Sequence, residues 1–380
     1  MNILVVAADL VPNYLGGAEL HLVEVVKRLE RYHHFSIFVG ENTKIKKLFS
    51  NSVTIIPVNY PRITNFMGIS YITIGFISIF RYIKRKRFDL IWAKQSYPQA
   101  PLAALLSKLF HLPLYITAQN PKLLSEELVI RGSMLKPFQN LFALLLEPLI
   151  RWSYRQASLV AAVSGYSCEL AKEFGAKKVI VIPNGIDLNR FIKPKKVLKK
   201  QNIFTIVSTS ALIPRNSMDT LIESAALLPD NKKWKVLIAG EGPEKDKLQM
   251  LIDENHLQNR VELVGRIKNE NIATLLSSSD LFVRPSRKEG FGVSFIEAMA
   301  SGVPVIATPV GGITDFIEHE QTGLMVTPND AKGLSQAINR MMNEIKLYHT
   351  IQKNALKLVQ KKYSWDHIAD EVHKVFQTIT

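Results

Sequence analysis

Short apolar runs alternate with longer amphipathic stretches along the chain of 380 residues. The short runs are rich in β-branched residues, which is typical of strands that are buried on both faces. The longer stretches repeat apolar positions every three to four residues, as Leu20, Val23, Val26 and Leu29 do within residues 17–31. This alternation predicts an α/β fold in which helices cover both faces of a parallel sheet.

The alternation starts afresh in the second half of the chain, which predicts two Rossmann-like domains. A basic, turn-rich stretch at residues 184–202 separates the two series. We therefore expect a first domain at residues 1–190, a second at 191–363, and a last helix at 364–380. The predicted strands are residues 3–7, 36–39, 53–58, 90–93, 114–118, 159–163 and 179–182 in the first domain, and 204–208, 235–239, 261–264, 281–284, 304–307 and 324–326 in the second.

Two glutamates near a glycine turn carry the strongest chemical signal. Glu289 precedes the turn Gly290-Phe-Gly292, and Glu297 lies in the helix that the turn opens. Free N–H groups at a helix start attract anions, and glycine lets a phosphate approach the backbone closely. Glu297 could accept two hydrogen bonds from the vicinal hydroxyls of a ribose, and Glu289 could reach a second sugar. The pattern suits a nucleotide diphosphate sugar; the alternative is a helix that merely favours acidic residues near its start.

The chain resembles glycosyltransferase family 4, on motifs that run almost from end to end. The glutamate pair, its Gly-x-Gly turn and the Ser-Gly-Val-Pro continuation are specific, whereas Gly-Gly or Gly-Glu-Gly alone would be weak. The matching segments are Gly16-Gly-Ala-Glu19, Val163-Ser-Gly-Tyr166, Pro183-Asn-Gly-Ile-Asp187, Gly240-Glu-Gly-Pro243, Val261 to Arg266, Arg284-Pro-Ser286, Glu289 to Gly292 with Glu297, Ala300 to Ala307, and Val310-Gly-Gly312.

The resemblance implies a fold, an activity and a set of residues. The fold is of GT-B type: two Rossmann-like domains whose parallel sheets face each other across a cleft, with the last helix crossing back to the first domain. The activity is retaining, metal-independent transfer from a nucleotide sugar, without a cofactor. From the motif and from the departures described below, we expect Glu289, Gln119 and Arg215 to be the catalytic residues. The implied donor-binding residues are Gly16, Gly17, Asn216, Glu241, Gly265, Glu289, Gly290, Phe291, Gly292, Val293 and Glu297.

The sequence departs from the family pattern in two places. The family usually has an arginine and, some five residues on, a lysine that hold the donor diphosphate, but Ala211 and Asn216 stand there. Arg215 is adjacent and could replace part of the lost charge. Many relatives have a histidine where this chain has Gln119, and glutamine can bind a sugar hydroxyl but cannot carry a proton near neutral pH.

Composition indicates where the protein works and what it meets. A single cysteine, Cys168, indicates a reduced, cytoplasmic protein, and residues 1–8 read as a strand rather than a signal peptide. The net charge is +15, with basic runs at residues 81–87 and 193–200, and no nucleic-acid-binding module is evident. Residues 63–80 carry no charge, and we interpret them as a core or membrane-surface helix rather than a span. We expect a saccharide or lipid-linked acceptor and docking on the inner face of an anionic membrane, or simply a solvated basic surface.

Other functions remain open at this stage. A nucleotide-sugar epimerase or a phosphorylase could share the fold, although no segment matches a lysine that binds pyridoxal phosphate. A non-catalytic partner protein with a weakened donor site is a third interpretation, which the absence of the two cations favours. Of these functions, the one we expect is that of a glycosyltransferase that serves cell-envelope polysaccharide or glycolipid synthesis.

Overall fold

The computed structural model describes residues 1–7, 17–40, 48–59, 67–118, 139–192 and 203–380, with the backbone alone at residues 17–18, 67–69 and 139–145. The chain divides into two compact units. Unit 1 comprises Met1–Gly185 together with Trp365–Thr380, and unit 2 comprises Ile186–Ser364. Each unit is built on one parallel sheet, as the alternating pattern predicts.

Unit 1 contains a seven-stranded parallel sheet in the order β3-β2-β1-β4-β5-β6-β7. The strands are β1 (Asn2–Val6), β2 (His34–Val39), β3 (Val53–Pro57), β4 (Leu90–Ala93), β5 (Leu114–Ala118), β6 (Leu159–Ala162) and β7 (Val179–Val181). The helices are α1 (Gly17–Leu29), α2 (Met67–Ile83), α3 (Gln99–Phe110), α4 (Gln139–Gln156) and α5 (Gly165–Glu173). Their apolar side chains form two cores, one against each face of the sheet.

A helix from the far end of the chain, α13 (Trp365–Ile379), completes one of these cores. Its residues Trp365, Ile368, Val372 and Phe376 are buried among side chains of α1 and of the first strands. Their spacing places them on one helix face, so the helix can bury a continuous apolar stripe. The expected return of the last helix to the first domain is therefore confirmed.

Unit 2 contains a six-stranded parallel sheet in the order β10-β9-β8-β11-β12-β13. The strands are β8 (Phe204–Thr209), β9 (Trp234–Ala239), β10 (Val261–Gly265), β11 (Leu281–Arg284), β12 (Val305–Ala307) and β13 (Leu324–Met325). The helices are α6 (Leu188–Ile192), α7 (Met218–Ala226), α8 (Lys245–Glu254), α9 (Asn269–Ser277), α10 (Val293–Ala300), α11 (Ala331–Asn343) and α12 (Ile345–Lys362).

The strand order of unit 2 changes direction between β8 and β11. From β8 the chain runs outward through β9 and β10, and from β11 it runs outward through β12 and β13. The loops that leave the two central strands therefore diverge, which opens a crevice at the carboxyl edge of the sheet. Ligands of open parallel sheets bind at this kind of position.

The apolar stretch at residues 63–80 falls largely within α2, and residues 63–66 lie outside the described residues. In the part of the chain that the structure describes, no helix combines the length and apolar character that crossing a membrane requires.

Candidate donor site at the edge of the second sheet

Two loops at the change of direction in unit 2 are joined by Arg287. The backbone N–H of Arg287 donates to the carbonyl of Arg215 at 2.7 Å. The guanidinium of Arg287 donates to the carbonyl of Pro214 at 2.7 Å and to the Asp219 carboxylate at 2.9 Å. The loop after β8 and the loop after β11 are thus held together as one edge.

Glycines allow two further loops, those after β9 and β12, to lie directly against this edge. A Cβ on Gly240 would lie 1.7 Å from the carbonyl oxygen of Ser210, and one on Gly311 would lie 1.6 Å from that of Glu289. Any side chain at either position would therefore separate the loops. The N–H of Gly240 also donates to the carbonyl of Gly265 at 2.9 Å, which brings in the loop after β10.

Glu289 is oriented by contacts to both of its carboxylate oxygens. Its Oε1 accepts a hydrogen bond from the N–H of Gly290 at 3.0 Å, and its Oε2 pairs with the guanidinium of Arg284. The side chain is nevertheless 19% exposed. Because each carboxylate oxygen has a further lone pair, Glu289 can still accept hydrogen bonds from a ligand.

The turn before α10 leaves the start of that helix open. Gly292 adopts φ +94, a left-handed conformation that favours glycine, and no described side chain caps the helix. The ring of Phe291 is buried against Phe316 and Tyr363, so it anchors the turn in the core. The partly exposed first turn begins at Val293 and can offer N–H groups to an anion, apart from that of Phe295, which already donates to the carbonyl of Gly292 at 3.0 Å.

Glu297 lies one turn further into α10 and is only partly exposed. Burial raises the pKa of Glu297 to about 7, while the positive charges of Arg190 and Arg284 act in the opposite direction. A carboxyl with this pKa changes its charge near neutral pH, so its hydrogen-bonding capacity depends on the pH.

The loop after β8 contains the two positions at which the family pattern is lost. The side-chain amide of Asn216 donates to the carbonyl of Ala211 at 2.8 Å, so it stabilises its own loop. Ser217 follows with φ +54, a left-handed conformation that glycine adopts more readily than serine. The Arg215 side chain is exposed and makes no hydrogen bond or ion pair with other described residues.

The sequence-predicted residues fall in three groups. The residues in unit 2 lie along one edge of the sheet. Among them, the half-exposed Glu241 pairs with Lys245 at 3.2 Å. Its carboxylate would also lie 3.2 Å from a Cβ on Gly265. Gly17 begins α1 in unit 1. Gly16 and Gln119 lie outside the described residues.

The sequence did not indicate the structural roles of three charged residues, although one of them, Arg284, stands in a motif that matches the family. Arg284 and Arg287 tie the edge of unit 2 together. In unit 1, Lys94 follows β4, is 2% exposed and pairs with Glu19 in the first turn of α1 at 2.7 Å. A charged residue at the end of an apolar strand is the signal that could have drawn attention to Arg284 and Lys94.

A metal ion has no evident place among these residues. Within the described ranges, no group of three or more histidine, cysteine, aspartate or glutamate side chains is arranged to hold one. The anion-attracting groups of the site are instead backbone N–H groups and arginine.

Comparison with known proteins identifies relatives for both units. The family model described as Glycosyltransferase Family 4 matches residues 15–190, and the model described as Glycosyl transferases group 1 matches residues 189–358. An uncharacterized glycosyltransferase of Methanocaldococcus jannaschii is 26% identical over 370 residues, which are 97% of this chain and 96% of that protein.

Two further relatives are informative. N-acetyl-alpha-D-glucosaminyl L-malate synthase of Bacillus anthracis is 32% identical over 145 residues, or 38% of each chain. The structure of the Anabaena protein HepE in complex with UDP has a TM-score of 0.79 and 23% sequence identity, and the comparison covers 100% of both chains. The similarity to HepE is a similarity of fold, and it extends over both units.

Proposed function

The chain belongs to glycosyltransferase family 4 and is a glycosyltransferase with the GT-B fold, and from this premise we propose that it is a retaining enzyme. It moves a sugar from a nucleotide diphosphate sugar to a saccharide or lipid-linked acceptor. We assign the donor to the second domain and the acceptor to the first. The observation that carries the proposal is an uncapped helix start with Glu289 in the loop before it and Glu297 one turn inside the helix.

Each part of the donor has a matching group at this edge. The diphosphate lies at the start of α10, where N–H groups and the helix dipole favour negative charge. Glu297 accepts hydrogen bonds from the ribose hydroxyls, and Glu289 accepts them from the sugar that is transferred. The complexes of Anabaena HepE with UDP and with UDP-glucose support a donor of this chemical class.

The proposed reaction needs no nucleophile from the protein. The bond between the anomeric carbon and the diphosphate oxygen breaks, and the acceptor oxygen attacks from the same face. The diphosphate oxygen that departs takes the acceptor proton. The protein positions both sugars and stabilises the departing charge, so orientation and electrostatics supply the catalysis.

We place the enzyme in the cytoplasm, on the inner face of a membrane, where it serves cell-envelope polysaccharide or glycolipid synthesis. The support is the exposed face of α2, which combines Ile77 with Arg81 and continues into the basic residues 84–87. Lys84 and Lys86 lie over the rings of Phe80 and Tyr82 at 4.7 and 5.2 Å. Apolar and cationic groups on one face suit the boundary of an anionic bilayer.

Substitution of the two carboxylates tests the proposed donor site. We expect Glu297→Ala to weaken the binding of free nucleotide at least tenfold, because the ribose loses its acceptor. We expect Glu289→Ala to lower turnover at least tenfold while nucleotide affinity stays within about twofold. Calorimetry with UDP, GDP and ADP measures nucleotide affinity. An assay of sugar transfer or donor hydrolysis measures turnover. Glu254→Ala, on the exposed face of α8, is the control. Unchanged nucleotide affinity in Glu297→Ala would remove the ribose assignment.

A second function is favoured by one specific observation, the loss of both family cations at Ala211 and Asn216. A non-catalytic partner protein could retain the fold with a weakened diphosphate site. The two functions differ in donor hydrolysis, which a competent site performs slowly without an acceptor. Hydrolysis of UDP-, GDP- or ADP-glucose by the wild-type chain supports the enzyme, and nucleotide binding without hydrolysis supports the partner protein.

A further inference from the structure

A buried arginine pairs with one of the two proposed donor carboxylates, Glu289, and its charge acts on the other, Glu297. Arg284 is the last residue of β11, and 7% of it is exposed. Its Nη2 pairs with Glu289, its Nη1 donates to the hydroxyl of Ser294 at 2.7 Å, and its Nε donates to that of Ser286 at 3.2 Å. The guanidinium also lies over the ring of Phe295 at 4.7 Å. All three nitrogens and one face of the guanidinium are occupied, so its orientation is fixed.

Stability alone does not account for an arginine at this position. The three residues before it in β11, Leu281, Phe282 and Val283, are fully buried and apolar. Burying a charge costs free energy, and buried ion pairs can often be replaced by apolar side chains with little loss of stability. The position therefore suggests a role in the function of Glu289.

We propose that Arg284 is a positioning residue for sugar transfer, which holds the Glu289 carboxylate in the orientation that the transferred sugar requires. This inference rests on the proposed function and adds a residue to it. The planar fork of Arg284 fixes Oε2 while the N–H of Gly290 fixes Oε1, so only the remaining lone pairs point to the ligand. The direction of those lone pairs decides from which sugar hydroxyls Glu289 can accept hydrogen bonds.

Arg284 has a second effect through its charge. Its charge and that of Arg190, from α6, both act on the Glu297 carboxyl and favour its ionisation. The ionised carboxylate accepts two hydrogen bonds from a ribose, so nucleotide affinity should rise as the pH rises through about 7. Removing the charge of Arg284 should move this rise to higher pH.

The fork and the charge can be separated by two substitutions. Arg284→Lys keeps the charge but loses the planar fork. We expect its turnover to fall at least tenfold, with KM for the donor and the pH dependence of nucleotide binding close to those of the wild type. Arg284→Gln loses both the charge and the fork. Its turnover should fall similarly, and the rise of its nucleotide affinity with pH should be displaced to higher pH. Ser294→Ala removes one acceptor of the fork, and we expect a smaller loss of turnover, about threefold.

The control is Arg340→Gln, which removes an arginine that pairs with Glu320 and Glu344 at the end of α11. It should change the stability of unit 2 and leave turnover per folded molecule unchanged. The assay follows hydrolysis of whichever of UDP-, GDP- and ADP-glucose the wild type cleaves fastest, and calorimetry with the matching nucleotide from pH 5.5 to 8.5 gives the affinity.

The outcomes distinguish this inference from the proposed function. Full turnover in Arg284→Lys, while Glu289→Ala is inactive, would overturn the positioning role and leave the donor site intact. An equal loss per folded molecule in Arg340→Gln would reduce the role of Arg284 to stability. If the wild type hydrolyses none of the three donors, or if Glu289→Ala hydrolyses its donor normally, both proposals fail. Should Arg284→Gln not fold, Arg284→Lys and Ser294→Ala still decide the question.

Discussion

At the scale of single residues, Arg215 is the cation best placed to replace the two that the family pattern has lost. Its carbonyl accepts the N–H of Arg287, so the backbone is fixed beside the loop that leads to α10, while its side chain remains exposed. Asn216 carries no charge, and its side-chain amide already donates to the carbonyl of Ala211. Arg215 is therefore the residue on which the diphosphate assignment should first be tested.

We expect Arg215→Ala to weaken the binding of UDP roughly tenfold or more, since a charge-assisted hydrogen bond contributes about 1.5–3 kcal/mol. The binding of uridine should change little, because the nucleoside lacks the charged diphosphate. Calorimetry with both ligands makes the comparison, and Lys357→Ala on the exposed face of α12 controls for loss of net charge. An equal loss for uridine would contradict a diphosphate contact.

The converse experiment restores the family charge. Ala211 is exposed, and its methyl side chain makes no hydrogen bond. Ala211→Arg therefore adds a cation without breaking a polar contact. Asn216→Lys gives up the hydrogen bond that closes the loop. The single Ala211 variant is therefore the cleaner gain-of-binding test.

The two glutamates and their glycine turn could be predicted because one contiguous stretch encodes them. A helix start, its glycines and its acidic residues are all local features. The role of Arg284 could not be predicted, because its partners Glu289 and Ser294 return to it only through the fold of the loop. The side-chain bond of Asn216 was missed for the same reason.

At the scale of elements, strands were predicted to within a few residues because their buried, β-branched runs leave little ambiguity. Helix α2 was harder, because its sequence is apolar on most sides. The structure gives it a buried face with Tyr71, Ile79 and Ile83, and an outer face with Ile77 and Arg81. Which apolar residues stay outside depends on the neighbouring helices and is not encoded in the local periodicity.

We expect the outer face of α2 to bind vesicles that contain anionic phospholipid more strongly than vesicles of neutral phosphatidylcholine. Binding should weaken with salt, because exposed charges are screened over about 8 Å at physiological ionic strength. Ile77→Glu should reduce binding several-fold in a sedimentation assay. Ile345→Glu is the matched control, since Ile345 is 70% exposed on α12 and Ile77 is 51% exposed. Equal binding to both vesicle types would contradict this prediction.

At the scale of the whole molecule, the two units should respond to pH in opposite directions. In unit 1, burial lowers the pKa of His21 and of His33 to about 4. The unfolded chain then binds more protons than the folded one between about pH 4 and 6.5, so the free energy of unfolding rises with pH in this window. In unit 2, burial raises the pKa of Glu297 to about 7, so the free energy of unfolding falls as the pH rises from about 4.5 to 7.

Hydrogen exchange, resolved for each unit, can test these opposite slopes. Between pH 7 and pH 5, protection of the core amides of unit 1 should fall relative to that of unit 2, after correction for the intrinsic exchange rate. Glu297→Gln removes the titrating group of unit 2 and should flatten its slope while leaving that of unit 1 unchanged. Parallel slopes in the two units of the wild-type chain would contradict the assignment.

The return of α13 to unit 1 has a consequence for the order in which the nascent chain folds. The ribosome must synthesise residues 186–364 before Trp365, Val372 and Phe376 can cover the apolar face of the first sheet. At a synthesis rate of roughly 5–20 residues per second, that face stays uncovered for about 10–35 seconds. Unit 2 is formed from one continuous stretch, so we expect it to reach its native state first. The part of the molecule that is translated first should therefore finish folding last, and chaperones would act mainly on it.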